Sequence, residues 1–500
     1  MSKPDVVIVG GGSAGAVLAA RLSEDPDRSV LLLEAGPAYP PGGYPPEVAN
    51  PAMLGPRTGR DWDDMTEPGV IGHPISAGRG KILGGSSAVN GAVALRALPS
   101  DFARWADRGL KGWAFGEVLA DYLALENTTG GDDRWHGRRG PLPVRQFTRD
   151  DLSPMQQAFM DAAVANGITT TSDFNGPVPA GVAPLPVNIV DGIRINTGMA
   201  YLGTAVRRRP NLQIRADVVV DRITFSGSRT TGVILADGTT VEGAEVVLSA
   251  GAYGTPAVLL RSGVGPSADL RALGISVVGD LPVGQNLQDH PIYFNTYAAR
   301  PDRIGAQAPP IAVMATTASS HAAPGDFDIH LGATHLFDPS QSPTGAGFAL
   351  TVAMVRPTAT GTLTLAGRDP NQAPRIDLNL LGTSEDRARL LEGLRLARRI
   401  GATSPLADFA DSELNPGAGA TSDADLEASM LATVSTYHHP ASTVPMGSEG
   451  DPRAVVNRLG EVRGLEGLRV VDASIFPDVP SMPINLSVLM AAEHIARLAY

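Results

Sequence analysis

Residues 6–36 hold the sequence feature that most constrains the fold of this chain. Four apolar residues, Val6 to Val9, predict a buried strand, and after a helical pattern a second apolar run covers residues 30–33. The glycines in the first turn are Gly10, Gly12 and Gly15. This spacing suits a dinucleotide, because one glycine forms the tight turn, one lets the backbone approach the pyrophosphate and one lets the helix pack closely on the strand. The segment therefore predicts a βαβ unit that binds a dinucleotide.

The ends of this unit supply polar groups for the nucleotide. The predicted helix begins near Ser13, where unpaired N–H groups and the positive end of the helix dipole favour phosphate. Glu34 follows the second strand, 19 residues after Gly15, and is placed to accept hydrogen bonds from the ribose hydroxyls of the adenosine. The pattern alone fits FAD and NAD equally, and a glycine-rich turn without a nucleotide is the alternative interpretation.

Composition and charge exclude several classes of function. The chain of 500 residues is 43% apolar and 18% charged, which is typical of a globular protein. A formal net charge of −12 argues against nucleic acid and against an anionic membrane as partners. The chain has no cysteine, which excludes disulfides, thiolate nucleophiles, cysteine-held metals and a cysteine-linked flavin. Because a strand is predicted from residue 6 and no apolar run approaches about 18 residues, we expect a cytoplasmic protein without a membrane span.

A second cluster of glycine and serine lies in residues 79–97. Gly84 and Gly85 predict backbone that passes close to a bound group. Ser87 and Asn90 offer a small hydroxyl and an amide to the polar edge of such a group. An ordinary turn is the alternative interpretation of this stretch.

The middle of the chain predicts further sheets and two helices. Residues 211–251 alternate apolar and polar side chains, as a β-meander does. Strand-like runs between residues 310 and 381 predict a second sheet, and helical patterns cover 385–401 and 424–434. The loop 281–291, LPVGQNLQDHP, is polar and shows no periodicity.

The last 65 residues combine two adjacent histidines, His438 and His439, with a proline-rich turn. A strand over 468–471 meets Asp472, and a final helix begins at about Leu486. The N-terminal N–H groups of that helix suit an electron-rich ring edge. The other histidines show no spacing typical of metal ligands, so we expect no metal site. They are His73, His136, His290, His321, His330, His335 and His494.

Taken in order, these motifs resemble those of the glucose–methanol–choline (GMC) oxidoreductases, FAD enzymes that oxidise alcohols. The matching stretches cover nearly the whole chain and include GGGSAG, LLLEAG, RGKILGGSSAVNG, GAYGTPAVLLRSGVGP, VGQNLQDH, DPNQAPRIDLN, HHPASTVPMG and VVDASIFPDVPS. The resemblance implies an α/β fold in which a Rossmann-like FAD-binding domain is interleaved with an α+β substrate domain built on an antiparallel sheet. It implies FAD-binding segments at 1–155, 206–300 and 426–500, the last carrying catalytic residues, and substrate-domain segments at 156–205 and 301–425.

The resemblance also assigns residues to a non-covalent FAD site. Some relatives attach FAD through a histidine where this chain has Val89, so valine there predicts a dissociable flavin. Gly10, Gly12, Gly15 and Glu34 are assigned to the ADP portion, Gly84, Ser87 and Asn90 to the flavin, Val220 to the adenine, and Asp472, Ala473 and Asn485 to the ribityl chain and pyrimidine ring. The neighbouring residues assigned to the site are Ser13, Ala14, Ala35, Arg79, Gly85, Gly91, Ala250, Gly251 and Leu486.

His439 is the residue that the resemblance assigns to proton removal. A positioned base with a pKa near neutrality takes the hydroxyl proton while the carbon-bound hydrogen leaves as hydride, a contribution of typically about 10²–10⁴-fold. His438 is the rival. Neighbours in an extended segment point to opposite sides, so we expect His438 to be packed or to face solvent.

The second catalytic position departs from the family pattern. Relatives carry a histidine or an asparagine where this chain has Pro483, whose side chain neither donates nor accepts a hydrogen bond. Either Asn485 takes over this role, or His439 acts alone and Pro483 forms an apolar wall. We favour the second interpretation, with Asn485 in a flavin contact or capping the last helix.

The expected function is oxidation of a primary alcohol on an aromatic or heteroaromatic ring, of the pyridoxine, benzyl or furfuryl type, to the aldehyde. The electron acceptor is molecular oxygen or another compound. The alternatives are a dehydrogenase of the same family that uses a redox carrier, a flavin-binding protein without alcohol turnover, and an NAD(P) enzyme. His439 argues against the second, and the later motifs argue against the third. Pro483 and the short chain resemble a subgroup of the family that oxidises pyridoxine.

Overall fold

The computed structural model describes residues 3–500. The helices are α1 (Ser13–Leu22), α2 (Pro46–Ala49), α3 (Pro99–Asp107), α4 (Phe115–Leu125), α5 (Pro154–Ala165), α6 (Thr197–Ala200), α7 (Thr204–Arg207), α8 (Gly251–Arg261), α9 (Ser267–Ala272), α10 (Ser384–Gly401), α11 (Asp423–Thr433) and α12 (Asn485–Ala499). The first strands are β1 (Val6–Val9), β2 (Val30–Leu33), β3 (Glu126–Thr129), β4 (Leu142–Gln146), β5 (Val182–Pro184), β6 (Pro186–Val187), β7 (Ile189–Val190), β8 (Ile193–Arg194), β9 (Leu212–Arg215), β10 (Val220–Ser226) and β11 (Arg229–Leu235). The remaining strands are β12 (Thr240–Glu242), β13 (Glu245–Leu248), β14 (Pro291–Ala299), β15 (Ile311–Thr317), β16 (Ile329–Thr334), β17 (Gly347–Met354), β18 (Thr362–Thr364), β19 (Arg375–Asp377), β20 (Ala410–Asn415), β21 (Ser435–Thr436) and β22 (Leu468–Val470).

A parallel sheet in the order β22-β13-β1-β2-β9 forms the first layer. Every neighbouring pair in it is parallel, and Val6 of β1 lies opposite Val30 of β2 on one side and Glu245 of β13 on the other. All residues of β1 and β2 are buried, as expected for strands covered on both faces. The predicted βαβ unit and the α/β fold class are confirmed.

The prediction of a β-meander over residues 211–251 is correct only for its centre. Strands β10, β11 and β12 form an antiparallel sheet of their own. The two flanking strands, β9 and β13, instead pair with β2 and β1 in the parallel sheet. Alternation of apolar and polar residues indicates a strand but not its partner, and the apolar run of β13 suits a strand buried on both faces.

Strands in the order β20-β14-β17-β16-β15-β5 form the second large sheet, and each pairing in it is antiparallel. Helices α5 and α10 pack on this sheet. Of the strand-like runs predicted within 310–381, 348–355 becomes β17 of this sheet, whereas 361–365 and 375–378 become β18 and β19, which pair only with each other. Strand β14, residues 291–299, also belongs to the large antiparallel sheet. Within residues 3–500 no helix has both the length and the apolar character needed to cross a membrane.

The start of α1 shows why glycine is required in the first turn. Gly10 has φ +97°, in the left-handed region that favours glycine. A Cβ atom at Gly15 would lie 1.9 Å from the carbonyl oxygen of Gly10. Only a residue without a side chain therefore lets α1 pack this closely against the end of β1.

We predict that Gly15→Ala lowers the free energy of unfolding of the apoprotein by about 1–3 kcal/mol, because the methyl group displaces α1 from β1. Urea unfolding measures the change. Gly116→Ala in α4 is the matched control, since a Cβ there meets no atom within 4 Å. We expect this variant to unfold at the same urea concentration as the unmodified protein or at a slightly higher one. Equal stability of both variants would contradict this account of the turn.

Candidate active site

A cavity of about 830 Å³ lies between the two large sheets. One wall is made by the residues that follow the carboxyl ends of β1, β2, β13 and β22, the edge of a parallel sheet where ligands usually bind. The other wall is made by β14, β15 and β16 of the antiparallel sheet. The volume lies in the upper part of the range of about 300–1,000 Å³ found for ligand pockets.

Most of the residues predicted for the site line this cavity. They come from segments far apart in the sequence, which the fold brings to one place. The predicted residues on its surface are Gly10, Gly12, Ser13, Ala14, Glu34, Ala35, Arg79, Gly85, Asn90, Gly91, Val220, Ala250, Gly251, His439, Asp472, Ala473, Pro483 and Asn485.

Four predicted residues, Gly15, Gly84, Ser87 and Leu486, lie behind the cavity surface rather than on it. Gly15 packs against Gly10 as described above, and Leu486 is buried in the core. Ser87 donates a hydrogen bond to the carbonyl oxygen of Gly84 and contacts Thr197 at 2.6 Å. These residues support the wall of the cavity.

Gly12 lines the cavity at the N-terminus of α1, where the nucleotide is predicted to bind. A Cβ there would lie 3.7 Å from Gly85, which is ordinary contact, so the protein itself does not require glycine at this position. A side chain would instead project into the cavity. Helix α1 has no side-chain cap among the described residues, which leaves its first N–H groups for a ligand.

Glu34 lies beside this part of the cavity and is held by two backbone donors. Its Oε2 accepts a hydrogen bond from the N–H of Gly11 at 2.7 Å, and its Oε1 accepts one from Gly36 at 2.7 Å. Burial raises the pKa of Glu34, an effect that the two N–H donors oppose. An ionised carboxylate has further lone pairs, so it can still accept ribose hydroxyls.

The N-termini of α1 and α12 meet at the same part of the cavity. The hydroxyl of Ser13 donates a hydrogen bond to Oδ1 of Asn485 at 2.7 Å. Ile484 holds the cap position of α12 and makes no side-chain capping bond, so the prediction that Asn485 caps the helix is wrong. Asn485 is the first residue of the helix, and its side chain instead links the two helix ends.

Asp472 closes the wall between β22 and α8. Its Oδ2 accepts hydrogen bonds from the N–H of Gly251 and the hydroxyl of Thr255, and its Oδ1 accepts two from Ser474. Burial raises the pKa of Asp472, and these donors oppose that effect. The carboxylate therefore fixes the backbone around Gly251, where a Cβ would meet nothing within 4 Å in this protein.

These observations fit FAD. Gly12 leaves room that the protein does not fill, two helix N-termini converge, and a buried carboxylate lies where ribose hydroxyls are expected. Val89 lines the same cavity and offers no nucleophile for attachment. The residues present thus match a dinucleotide bound by contacts rather than by a bond through residue 89.

His439 lines the same cavity. Its backbone N–H donates to Oδ1 of Asp289 at 2.9 Å, and its Nδ1 lies 3.0 Å from Nδ1 of His290. The ring of Tyr437 lies 4.4 Å from the ring of His439 between centroids. Across the described part of the chain, no group bonds to Nε2, so this nitrogen is open to the cavity.

His438 is exposed and also lines the cavity. Its φ of +63° places the residue in the left-handed region, so the segment is not extended there. Neighbouring side chains in such a turn need not point to opposite sides. The guanidinium of Arg79 donates to the carbonyl oxygen of His438 at 3.1 Å and joins this turn to the second glycine cluster.

Electrostatics keep the imidazoles of the site uncharged. Burial, together with nearby imidazoles and Arg79, lowers the pKa of His439 well below its ordinary value. Burial lowers the pKa of His290 to about 3. A neutral His439 has a free lone pair, which is the state that a proton acceptor needs.

Sequence reasoning missed the partners of His439. The sequence predicts no role for His290, yet its ring contacts that of His439 directly. Asp289, just before it, has no role in the predictions although it binds the backbone of His439. Both residues belong to the motif VGQNLQDH, which supports the family resemblance. This motif is the one feature of the sequence that could have pointed to them.

The chain is similar to several known proteins along nearly its whole length. The N-terminal and C-terminal family models described as GMC oxidoreductase match residues 4–292 and 357–492. The chain is 36% identical to 5-(hydroxymethyl)furfural oxidase of Methylovorus sp. strain MP688, covering 98% of each chain. It is 34% identical to an oxygen-dependent choline dehydrogenase of Photobacterium profundum, covering 98% of this chain and 92% of that protein. The crystal structure of pyridoxine 4-oxidase from Mesorbium loti superposes with a TM-score of 0.91 at 37% identity and covers 99% of this chain and 98% of that one.

We predict that acid precipitation releases the flavin of the purified protein intact into the supernatant, because residue 89 is a valine. Absorbance and chromatography of the supernatant against free FAD measure the released fraction. Flavin that stays with the precipitated protein after washing would contradict a non-covalent site.

Proposed function

Since the chain belongs to the GMC oxidoreductases and binds FAD, we propose that it oxidises a primary alcohol on an aromatic or heteroaromatic ring to the aldehyde. When bound, FAD supplies the acceptor for the hydride that leaves the carbinol carbon. The observation that carries the proposal is His439, a neutral imidazole with Nε2 open to the same cavity as the cofactor residues. The curated relatives named for furfuryl and choline substrates support oxidation of an alcohol.

His439 supplies the base that the chemistry requires. An aliphatic hydroxyl does not ionise near neutral pH, so a positioned acceptor must take its proton as the hydride leaves. Nε2 of His439 accepts that proton and becomes part of an imidazolium. Because Nδ1 is held by His290 and the backbone N–H by Asp289, the ring has little freedom to turn away from the substrate.

We propose that His439 acts without a second polar side chain from position 483. Pro483 lines the cavity and presents only ring carbons to a substrate. The carbonyl oxygen of the Asn485 side chain already accepts from Ser13. This contact favours a structural role for Asn485 at the helix ends over a place beside the substrate hydroxyl.

The wall contributed by the antiparallel sheet indicates the kind of substrate. Its side chains in the cavity are predominantly apolar, and none of those from the described strands is acidic. Arg79 adds a positive charge nearby. An uncharged ring gains from burial against such a wall, whereas a quaternary ammonium group would lose its hydration and find no carboxylate on these strands. The lining residues from these strands are Ile292, Phe294, Ile311, Val313, Met314, His330, Leu331, Gly332, Ala333, Thr334 and Thr351.

We predict that an aromatic or heteroaromatic alcohol bleaches the flavin absorbance of the holoprotein without oxygen. Anaerobic mixing with pyridoxine, benzyl alcohol, 5-(hydroxymethyl)furfural, choline and glucose measures the rate for each compound. Rapid return of colour on admitting air identifies an oxidase, and slow return identifies a dehydrogenase that uses another acceptor. Bleaching by choline alone would contradict the proposed substrate class, and bleaching by none of the five would favour a flavin-binding protein without alcohol turnover.

We predict that His439→Gln lowers the rate of flavin reduction about 10²–10⁴-fold, because the variant lacks the base. FAD absorbance shows that the cofactor site is retained. The matched control is His321→Gln, whose side chain is 40% exposed, and it should react like the unmodified protein.

The pH dependence follows from the lowered pKa of His439. The rate falls only as pH drops through that lowered pKa and stays constant above about pH 6.5, the ordinary value for histidine. A rate that rises steeply above pH 8 in the unmodified protein would contradict His439 as the base.

A further inference from the structure

The segment before β14 runs antiparallel to the segment that carries His439. The N–H of Gln288 donates to the carbonyl oxygen of Ala441 at 3.1 Å, and the N–H of Ala441 donates to that of Gln288 at 2.9 Å. Two residues further, the N–H of Tyr437 donates to the carbonyl oxygen of His290 at 2.8 Å. These bonds hold His290 in a fixed position beside His439.

The buried carboxylate of Asp289 adds a side-chain clamp to this pairing. Its Oδ1 accepts from the backbone N–H of His290 at 2.7 Å and from that of His439 at 2.9 Å. Its Oδ2 accepts from the hydroxyl of Thr436. The two histidines are therefore tied to one carboxylate as well as to each other's segment.

The contact between the two rings has a definite consequence for their protons. Nδ1 of His290 lies 3.0 Å from Nδ1 of His439, and the rings are nearly perpendicular at 87°. A hydrogen bond between two ring nitrogens needs one proton, so one Nδ1 donates and the other accepts. If His439 donates, its Nε2 carries a lone pair and is a base, whereas if His290 donates, Nε2 of His439 carries the proton and is not.

The proposed role of His439 selects between these arrangements. Nε2 of His290 is fully buried and makes no regular hydrogen bond within residues 3–500, so the ring of His290 is anchored through its Nδ1 contact with His439. A base that accepts a proton at Nε2 requires the first arrangement, in which His439 donates from Nδ1 and Nδ1 of His290 accepts.

We infer that Asp289 and His290 are positioning residues that hold His439 in the tautomer with a proton on Nδ1 and a lone pair on Nε2. This inference rests on the proposed role of His439 as base. The hydroxyl proton passes to Nε2, the O–H electron pair becomes the second bond of the aldehyde carbonyl, and the hydride leaves to FAD. The Nδ1–H bond to His290 is the same before and after this transfer, so no partner has to move.

His290 itself does not take the proton. It is completely buried, and its pKa is lowered to about 3 by that burial, with a further contribution from His330. The remaining groups whose charge acts on the ring of His439 are Arg79, His438 and His330, and each of them disfavours a second positive charge. His290 therefore acts through His439 as a neutral acceptor.

Two substitutions at His290 test this role by anaerobic reduction of the holoprotein with the fastest alcohol of the panel. His290→Leu removes the acceptor, and we expect the reduction rate to fall about 10²-fold while the dissociation constant of the alcohol stays nearly unchanged. His290→Gln keeps an amide oxygen that can accept from Nδ1–H, and we expect it to be at least about tenfold faster than the leucine variant. The control is His321→Gln, whose side chain is exposed and does not line the cavity.

The inference is overturned if His290→Leu reacts like the unmodified protein, or if both variants lose rate and alcohol affinity equally, which would indicate a structural role. Should the leucine variant fail to retain FAD, the tautomer itself remains measurable. Long-range ¹H–¹⁵N correlation spectra of the unmodified holoprotein labelled at histidine distinguish Nδ1–H from Nε2–H, with signals assigned by His439→Gln and His290→Gln.

We expect His439 to carry its proton on Nδ1 at neutral pH in these spectra. A proton on Nε2 of His439 would overturn the inference whatever the activity. If the proton lies on Nδ1 but no alcohol reduces the flavin, the proposed function fails while the positioning by His290 stands.

Discussion

The buried carboxylate of Asp289 joins the two halves of the active site. It accepts hydrogen bonds from the backbone N–H groups of His290 and His439. His439 lies 150 positions after Asp289 in the chain. Strand β14 begins two residues after Asp289, so the same loop starts the antiparallel sheet that covers the cavity. Without this link, the segment carrying His439 would be joined to that sheet only through backbone pairing at β21 and neighbouring loops.

A carboxylate in this position is costly unless its charge is compensated. Burial raises the pKa of Asp289 to about 6, so ionisation near neutral pH depends on its donors. The Thr436 hydroxyl, the two backbone N–H groups and the field of Arg79 all favour the charged form. Because the acceptor sites of the carboxylate are taken by these donors, the imidazoles nearby remain neutral rather than forming ion pairs with it. The site therefore combines a fixed negative charge with a free imidazole lone pair.

Local patterns in the sequence predicted the parts of the fold that depend on local physics. The buried runs of β1 and β2 and the glycines between them define the βαβ unit within 31 residues, 6–36. The same kind of reasoning predicted α10 and α11 closely, because amphipathic periodicity is read within one helix. It misassigned the partners of β9 and β13, since strand pairing is decided by residues elsewhere in the chain.

The parts of the candidate site that sequence reasoning missed depend on contacts between distant segments. Asp289 and His290 lie in a loop without periodicity, and their partner segment starts at Thr436, 147 residues later. The left-handed backbone at His438 is not visible in its residue type, because residues other than glycine only occasionally adopt a positive φ. The role of His290 becomes apparent only when the two Nδ1 atoms are seen 3.0 Å apart.

The loss of a polar side chain at Pro483 is understandable from the same contacts. In a two-residue catalytic pair, the second side chain helps to orient the substrate hydroxyl. The first side chain, the base, then needs a less strictly fixed position. Here the proposed base, His439, is held from behind, by His290 at Nδ1 and by Asp289 at the backbone. Asn485 is engaged by Ser13 and holds α1 and α12 together, 472 positions apart in the chain. Support of His439 from behind thus leaves the substrate side of the ring free for an apolar wall, which suits an aromatic alcohol better than a second hydrogen-bonding group would.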